Sequence, residues 1–349
     1  MFVKRSIYQL LPAIVLAAGF ASFSPKAHAQ IMTGGDVSEL AREEQLGTVY
    51  KTASGTAIDA LQQFQNQHWN CCRLRLWVNP SGQDIMVNNL SYTIALAKRI
   101  KAHGMKWILD IHYSDTWADP AHQTTPAAWS GQSYSQLLTT VKNYTASVLS
   151  TCSSNGVLPD YVQVGNEIGN GMLWPTGTLA NWSQFVGLLN AGVAGVRQVS
   201  STPKIIIHIA NGGNLSGVEW FYDKLGTSVK YDVIGLSYYP PNGTTMADIK
   251  ATLAAINGRY GKKIMIVEFS YPYGWGVTSG SGYWNTPAGQ QQITWDLTQA
   301  VRAISNGTGV IYWGGTYVWN ANLQNNWAGQ ALFNTTNVSL PAQGSLWAQ

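Results

Sequence analysis

Two glutamates, Glu167 and Glu268, stand where short apolar runs give way to polar, aromatic loops. The first lies in Val162–Pro175, VQVGNEIGNGMLWP: Val162 and Val164 lead into Gly165-Asn166-Glu167 and then a Gly/Asn-rich loop carrying Trp174. The second lies in Lys263–Trp275, KIMIVEFSYPYGW, about a hundred residues later. After Glu44 the chain holds only one further glutamate, Glu219, and Ser216-Gly-Val-Glu219 has the spacing of a capping box that opens a helix. A lone carboxylate behind an apolar strand is costly to bury. Each of the other two either pairs with Arg73 or Arg75, sits at a helix N-terminus, or shares a cleft with its counterpart. Two carboxylates on one cleft suit glycoside hydrolysis, in which one acid protonates the departing oxygen while the other attacks or activates water.

The neighbouring residue types fit that chemistry. Asn166 has the reach to hydrogen-bond a sugar 2-hydroxyl, and Tyr238 with Arg75 is expected to hold the nucleophile ionised. His112 and His208 belong either to the cleft or to the packed interior behind it. No His-Glu-x-x-His or Cys-pair spacing suggests zinc, and no Gly-x-Ser-x-Gly follows a strand. The expectation is an enzyme with no metal ligand assigned and no cofactor required.

Strand-like and helix-like stretches alternate along the chain. Strands are predicted at Met32–Val37, Cys72–Val78, Lys106–His112, Tyr161–Asn166, Lys204–Ile209, Tyr231–Ser237, Lys263–Glu268 and Thr308–Trp313. Helical patterns fill the intervals at Ala57–His68, Asn88–His103, Tyr134–Ser150, Leu179–Val199, Gly217–Leu225, Met246–Tyr260 and Thr286–Ser305. Leu90, Ile94, Leu96, Ala97 and Ile100 repeat at helical spacing before Gly104, a C-terminal stop. Eight βα units without a Gly-rich phosphate turn predict an α/β fold, a single-domain (β/α)8 TIM barrel. In such a barrel the active residues gather at the carboxyl ends of the strands. Arg73 and Arg75 lie on strand 2. Asp110, His112, Tyr113, Asp115, Trp117 and Asp119 lie at and after the end of strand 3. Asn166 and Glu167 end strand 4, His208 and Asn211 strand 5, Tyr238 and Tyr239 strand 6, and Trp313 strand 8. Gly274–Gly282 reads as a long loop after strand 7.

Residues 1–29 have the form of a secretory signal: Lys4 and Arg5, an apolar Leu10–Phe23, and Ala27-His28-Ala29 for cleavage. The predicted domains are this leader and a catalytic barrel over residues 30–349, exported to the periplasm or the extracellular space. Removing the leader leaves 18 Lys and Arg against 17 Asp and Glu, a net charge of +1. A nearly neutral chain with 11% charged residues has no electrostatic footprint for nucleic acid or a membrane surface. Its 15 Trp and 17 Tyr point instead to a carbohydrate partner, because aromatic faces stack on the C–H faces of sugars. Cys71, Cys72 and Cys152 are too few for a disulfide scaffold, and leave open one pair or three thiols. A monomer is expected.

Four stretches carry a resemblance: RLRLWVNP (Arg73–Pro80), DIHYSDTWADPAHQTTPAAW (Asp110–Trp129), VQVGNEIGNGMLWP and IVEFSYPYGW (Ile266–Trp275). With GGDVSEL (Gly34–Leu40) on the first strand, they resemble glycoside hydrolase family 53, the arabinogalactan endo-β-1,4-galactanases of the clan A barrels. The resemblance implies retaining endo-hydrolysis of β-1,4-galactan, with Glu167 as general acid/base and Glu268 as nucleophile. It implies that Arg75, His112, Asn166, His208, Tyr238 and Trp313 line the innermost sugar site, with Asp115, Trp117 and Trp174 extending the substrate-binding set. The sequence departs from the family at Gly314-Gly315 after Trp313 and at Phe269 after Glu268, which bears on the outer sugar contacts. Some relatives hold calcium in the loops after strands 7 and 8, but here Gly274–Trp284 and Asn320–Trp327 contain no acidic residue, so a structural calcium is not supported. A barrel hydrolysing another β-1,4-glycan, or a non-catalytic galactan-binding barrel, are the alternatives.

Overall fold

The computed structural model describes residues 30–240, 243–274, 282–323 and 327–346. Eight parallel strands close into a barrel in chain order: β1 (Met32–Asp36), β2 (Cys71–Leu76), β3 (Lys106–Ile111), β4 (Tyr161–Val164), β5 (Lys204–Ile209), β6 (Val233–Tyr238), β7 (Lys263–Phe269) and β8 (Gly307–Tyr312), which returns to β1. Among the described residues, seven outer helices follow the first seven strands: α1 (Ala60–Asn66), α2 (Leu90–Ala102), α3 (Tyr134–Ser154), α4 (Trp182–Val199), α5 (Leu215–Leu225), α6 (Met246–Ile256) and α7 (Pro287–Arg302). The (β/α)8 reading holds. The leader and the glycine-rich centre of the loop after β7 lie outside the described residues.

Local sequence explains the elements. Asn89 caps α2 by accepting from Tyr92 N–H, and Gly104, at φ +71°, takes the left-handed turn that ends it. The cap of α5 is Asn214, whose side chain accepts from Gly217 N–H, rather than Ser216; Glu219 instead pairs with Arg259 at 2.8 Å. A short helix, Leu40–Gln45, sits between β1 and α1, and a four-residue helix, α8 (Ala342–Ser345), packs on α7.

Strand alternation sorts the side chains into layers. Outward residues such as Leu74, Leu109, Val162, Ile207 and Ile234 pack beneath the helices in the main core. Inward residues Met32, Cys71, Ile108, Ile206, Val233, Met265, Val267 and Ile311 form a separate apolar plug in the lower barrel. Above this plug the inward positions turn polar: Asp36, Arg73, Arg75, Asp110, Gln163, His208 and Ser237 are all buried. All three cysteines are buried and unpaired.

Candidate active site

A cleft of about 380 Å³ opens at the carboxyl ends of the strands, with both glutamates in its wall. Each reaches it through an irregularity in the backbone. After β4, Gly165 takes φ +84° and Glu167 itself sits in the left-handed region, φ 47°, ψ 46°. A non-glycine residue held there stores about 1–3 kcal/mol of strain, a pattern that clusters at functional sites. On β7 the pairing with β6 runs Leu236 with Ile266 and then Ser237 with Glu268, skipping Val267. Plain alternation after inward Met265 and Val267 would turn Glu268 outward; the bulge brings it into the lumen.

Glu268 is held by two donors. Arg73 Nη2 lies 2.8 Å from Oε1, and the Tyr239 hydroxyl donates to Oε2 at 2.8 Å. Arg73 is itself clasped, with Nη1 on Asp36 at 2.9 Å and Nη2 on Asp110 and on Asn166 Oδ1 at 2.8 Å. Asp110 also accepts from Gln163 Nε2 and lies 2.9 Å from His112 Nε2. Burial raises Asp110, but Arg73 and His112 outweigh it and hold the carboxyl below its ordinary range.

Glu167 has fewer supports. Ser237 donates to Oε1 at 2.6 Å, and His208 Nε2 lies 2.8 Å from the same serine hydroxyl. On its other side His208 Nδ1 lies 3.0 Å from Asn166 Oδ1 and 3.3 Å from the Glu167 backbone nitrogen, so the ring is fixed between Ser237 and the end of β4. Burial and the charge of Arg73 hold His208 neutral. Burial, reinforced by the charge of Glu268, pushes the Glu167 carboxyl up to about 8. Burial raises Glu268 too, while Arg73 and Tyr239 pull it back. Glu268 is thus the carboxyl that ionises first, and Glu167 the one that keeps its proton.

The aromatic wall is built from Trp117, Trp313 and Trp327: Trp313 stands 6.0 Å from Trp117 and 5.0 Å from Trp327 between ring centres. The Arg75 guanidinium lies 4.6 Å from the Trp117 ring and 5.0 Å from that of Trp77.

Arg75, His112, Trp117, Asn166 and Trp313 line the cleft with the two glutamates. Other expected positions need correction. Tyr238 faces outward, stacked on Phe269 at 6.1 Å, because Ser237 takes the inward place on β6; the following residue, Tyr239, meets Glu268. Arg75 does not hold Glu268 either: Nη1 faces Glu39 at 3.5 Å, and Arg73 makes the contact one inward step lower. His208 lies behind Glu167 rather than in the cleft wall. Asp115 clasps its own loop, accepting from Asn79 and Ala127 N–H groups at 3.0 and 2.9 Å. Trp174 stands outside the part of the cleft that holds the two glutamates, and its Nε1 donates to Asn170 O at 3.0 Å. Trp327, Thr244 and Ser237 escaped the sequence reading. Strand spacing marks the last, but Trp327 and Thr244 come from loops that carry no periodicity. The loops weighed for calcium run through 275–281 and 324–326, outside the described residues.

A (β/α)8 barrel with two strand-end carboxylates in one aromatic cleft is the architecture of a glycoside hydrolase. The chain belongs to glycosyl hydrolase family 53, whose model matches residues 32–345. It is 35% identical over 309 residues to arabinogalactan endo-β-1,4-galactanase A of Aspergillus niger, covering 83% of this chain and 86% of that one. Among solved structures, the Ignisphaera aggregans GH53 catalytic domain superposes with a TM-score of 0.87 at 34% identity, covering 93% of this chain and 97% of that one. One of two fungal β-1,4-galactanases superposes with a TM-score of 0.85 at 32% identity, covering 92% and 100%.

Proposed function

We propose that the chain is a retaining endo-β-1,4-galactanase acting on galactan and type I arabinogalactan, with Glu268 as nucleophile and Glu167 as general acid/base. The observation that carries the assignment of roles is the unequal support of the two carboxyls. Glu268 receives a guanidinium and a phenol, whereas Glu167, buried beside it, receives one serine hydroxyl. Glu268 attacks C1 as Glu167 gives its proton to the departing oxygen, forming a glycosyl ester on Glu268. Glu167 then takes a proton from water, which attacks C1 and releases Glu268, so the product keeps the β configuration. Asn166 offers its amide to the sugar in the innermost site, and Trp313 its ring face. No cofactor enters either step. Family membership and the galactanases among the relatives support the substrate. The leader-like residues 1–29 support export, and no described helix is long and apolar enough to cross a membrane.

The test is incubation of the protein with β-1,4-galactan, mannan, xylan and mixed-linkage glucan, with proton NMR of the first products. Short β-anomeric galacto-oligosaccharides from galactan are expected. Products from another polymer overturn the substrate; α anomers overturn the nucleophile. Galactan binding without hydrolysis would support a binding barrel.

A further inference from the structure

Beyond the catalytic cleft, a second groove of about 220 Å³ begins at three residues that line both: Pro120, Ala210 and Asn211. It runs past Asn170 to Trp220 on α5. Trp220 is 47% exposed, a large apolar ring left in water at the groove's far wall. Its setting is built. Lys224 Nζ lies 4.9 Å from its ring and 4.5 Å from that of Trp182, and the two indoles meet edge-on at 6.0 Å. Asn170, which also lines the groove, is pinned as well: its Nδ2 donates to Pro120 O at 2.8 Å, and its O accepts from Trp174 Nε1.

Position assigns the occupant. The groove leaves the cleft on the β4–β5 side, where Glu167 stands, and away from the wall formed by Trp313 and Arg75. A general acid must lie within hydrogen-bond reach of the leaving oxygen, so the departing part of the substrate lies on the acid's side of the cleft. We infer that this second groove binds the reducing-end galactose units of the polymer, the part that leaves, with Trp220 as the platform on which one sugar face stacks. The inference rests on the galactanase reading above. The groove has both elements of sugar recognition, an apolar ring for the C–H face and the exposed amides of Asn170 and Asn211 for hydroxyls.

The test compares two substrates on the parent, Trp220→Ala and Trp220→Tyr. β-1,4-Galactan extends into the groove, whereas a nitrophenyl β-1,4-galactobioside ends in a leaving group too short to reach it. The ratio of kcat/KM for galactan to that for the aryl substrate is expected to fall about tenfold in Trp220→Ala, the scale of about 1.4 kcal/mol for a lost ring contact, and to recover in Trp220→Tyr. End-labelled galactohexaose is expected to be cut closer to its reducing end by Trp220→Ala. An unchanged ratio, or a ratio that falls without recovery in Trp220→Tyr, overturns the groove assignment while leaving the enzyme's function standing. A parent that cleaves neither substrate overturns the galactanase reading and the groove with it.

Discussion

Glu167 and Glu268 are the same side chain in two environments, and the difference lies in what surrounds each. Glu167 loses its charged form through burial and the nearby charge of Glu268, with Ser237 as the main local support for ionisation. Because its carboxyl is raised to about 8, the acid is protonated below that pH and turnover is expected to fall as pH rises through it. Removing the hydroxyl in Ser237→Ala takes away a hydrogen bond that favours the carboxylate, so the Glu167 carboxyl rises further. The alkaline limb of the kcat/KM profile, which reports the free enzyme, is expected to move up by about half to one pH unit, the worth of a hydrogen bond of about 1 kcal/mol. The charged and titratable neighbours Arg73, Glu268 and Asp119 are unchanged in that variant. An unmoved or lowered limb would mean that Ser237 does not set the acid. His112, Asn166, Trp117 and Trp313 were legible in the sequence because each follows or ends a strand. Arg73 and Tyr239 were visible there as residues, but which arginine and which tyrosine meet Glu268 depends on strand phase, and one residue reverses it.

At the scale of elements, hydrophobic period carried most of the fold. All eight strands and all seven outer helices lie close to where alternation and helical spacing put them. The short helices were not legible: Leu40–Gln45 spans six residues with three charges, and α8 only four with Gly344 inside it. The bulge on β7 was hidden for another reason. Ile264, Met265, Ile266 and Val267 are all apolar and all buried, so no alternation marks where the phase slips. The exit from β4 is more exposed to test. At Gly165 a Cβ would lie 2.6 Å from Ile168 Cγ2, on a backbone at φ +84° that side chains rarely adopt. Gly165→Ala is expected to cost about 1–3 kcal/mol of stability. Displacing Glu167, two residues on, is expected to cost about tenfold or more in kcat. Thermal unfolding and steady-state kinetics measure the two effects, and a variant with parental values in both would show that this turn does not aim the acid.

For the whole molecule, the division of the lumen into a dry plug and a polar storey explains how so many ionisable groups stay buried. Arg73 sits among Asp36, Asp110 and Glu268, so each of these buried carboxylates meets the same guanidinium while the plug below excludes water. The three unpaired thiols belong to this packed body: Cys71 in the plug, Cys72 and Cys152 under the helices. Burial pushes all three up, Cys152 to about 12, so none presents a thiolate in the folded chain at neutral pH. That makes the molecule its own stopwatch. A disulfide reagent such as dithionitrobenzoate meets a cysteine only when the barrel opens, and at high reagent concentration the labelling rate becomes the opening rate itself. Labelling is expected to be negligible over minutes in native buffer, to reach three thiols per chain in denaturant, and to quicken when galacto-oligosaccharide is withdrawn. Stoichiometric labelling of the native protein within the mixing time would show that the thiols are within reach of solvent.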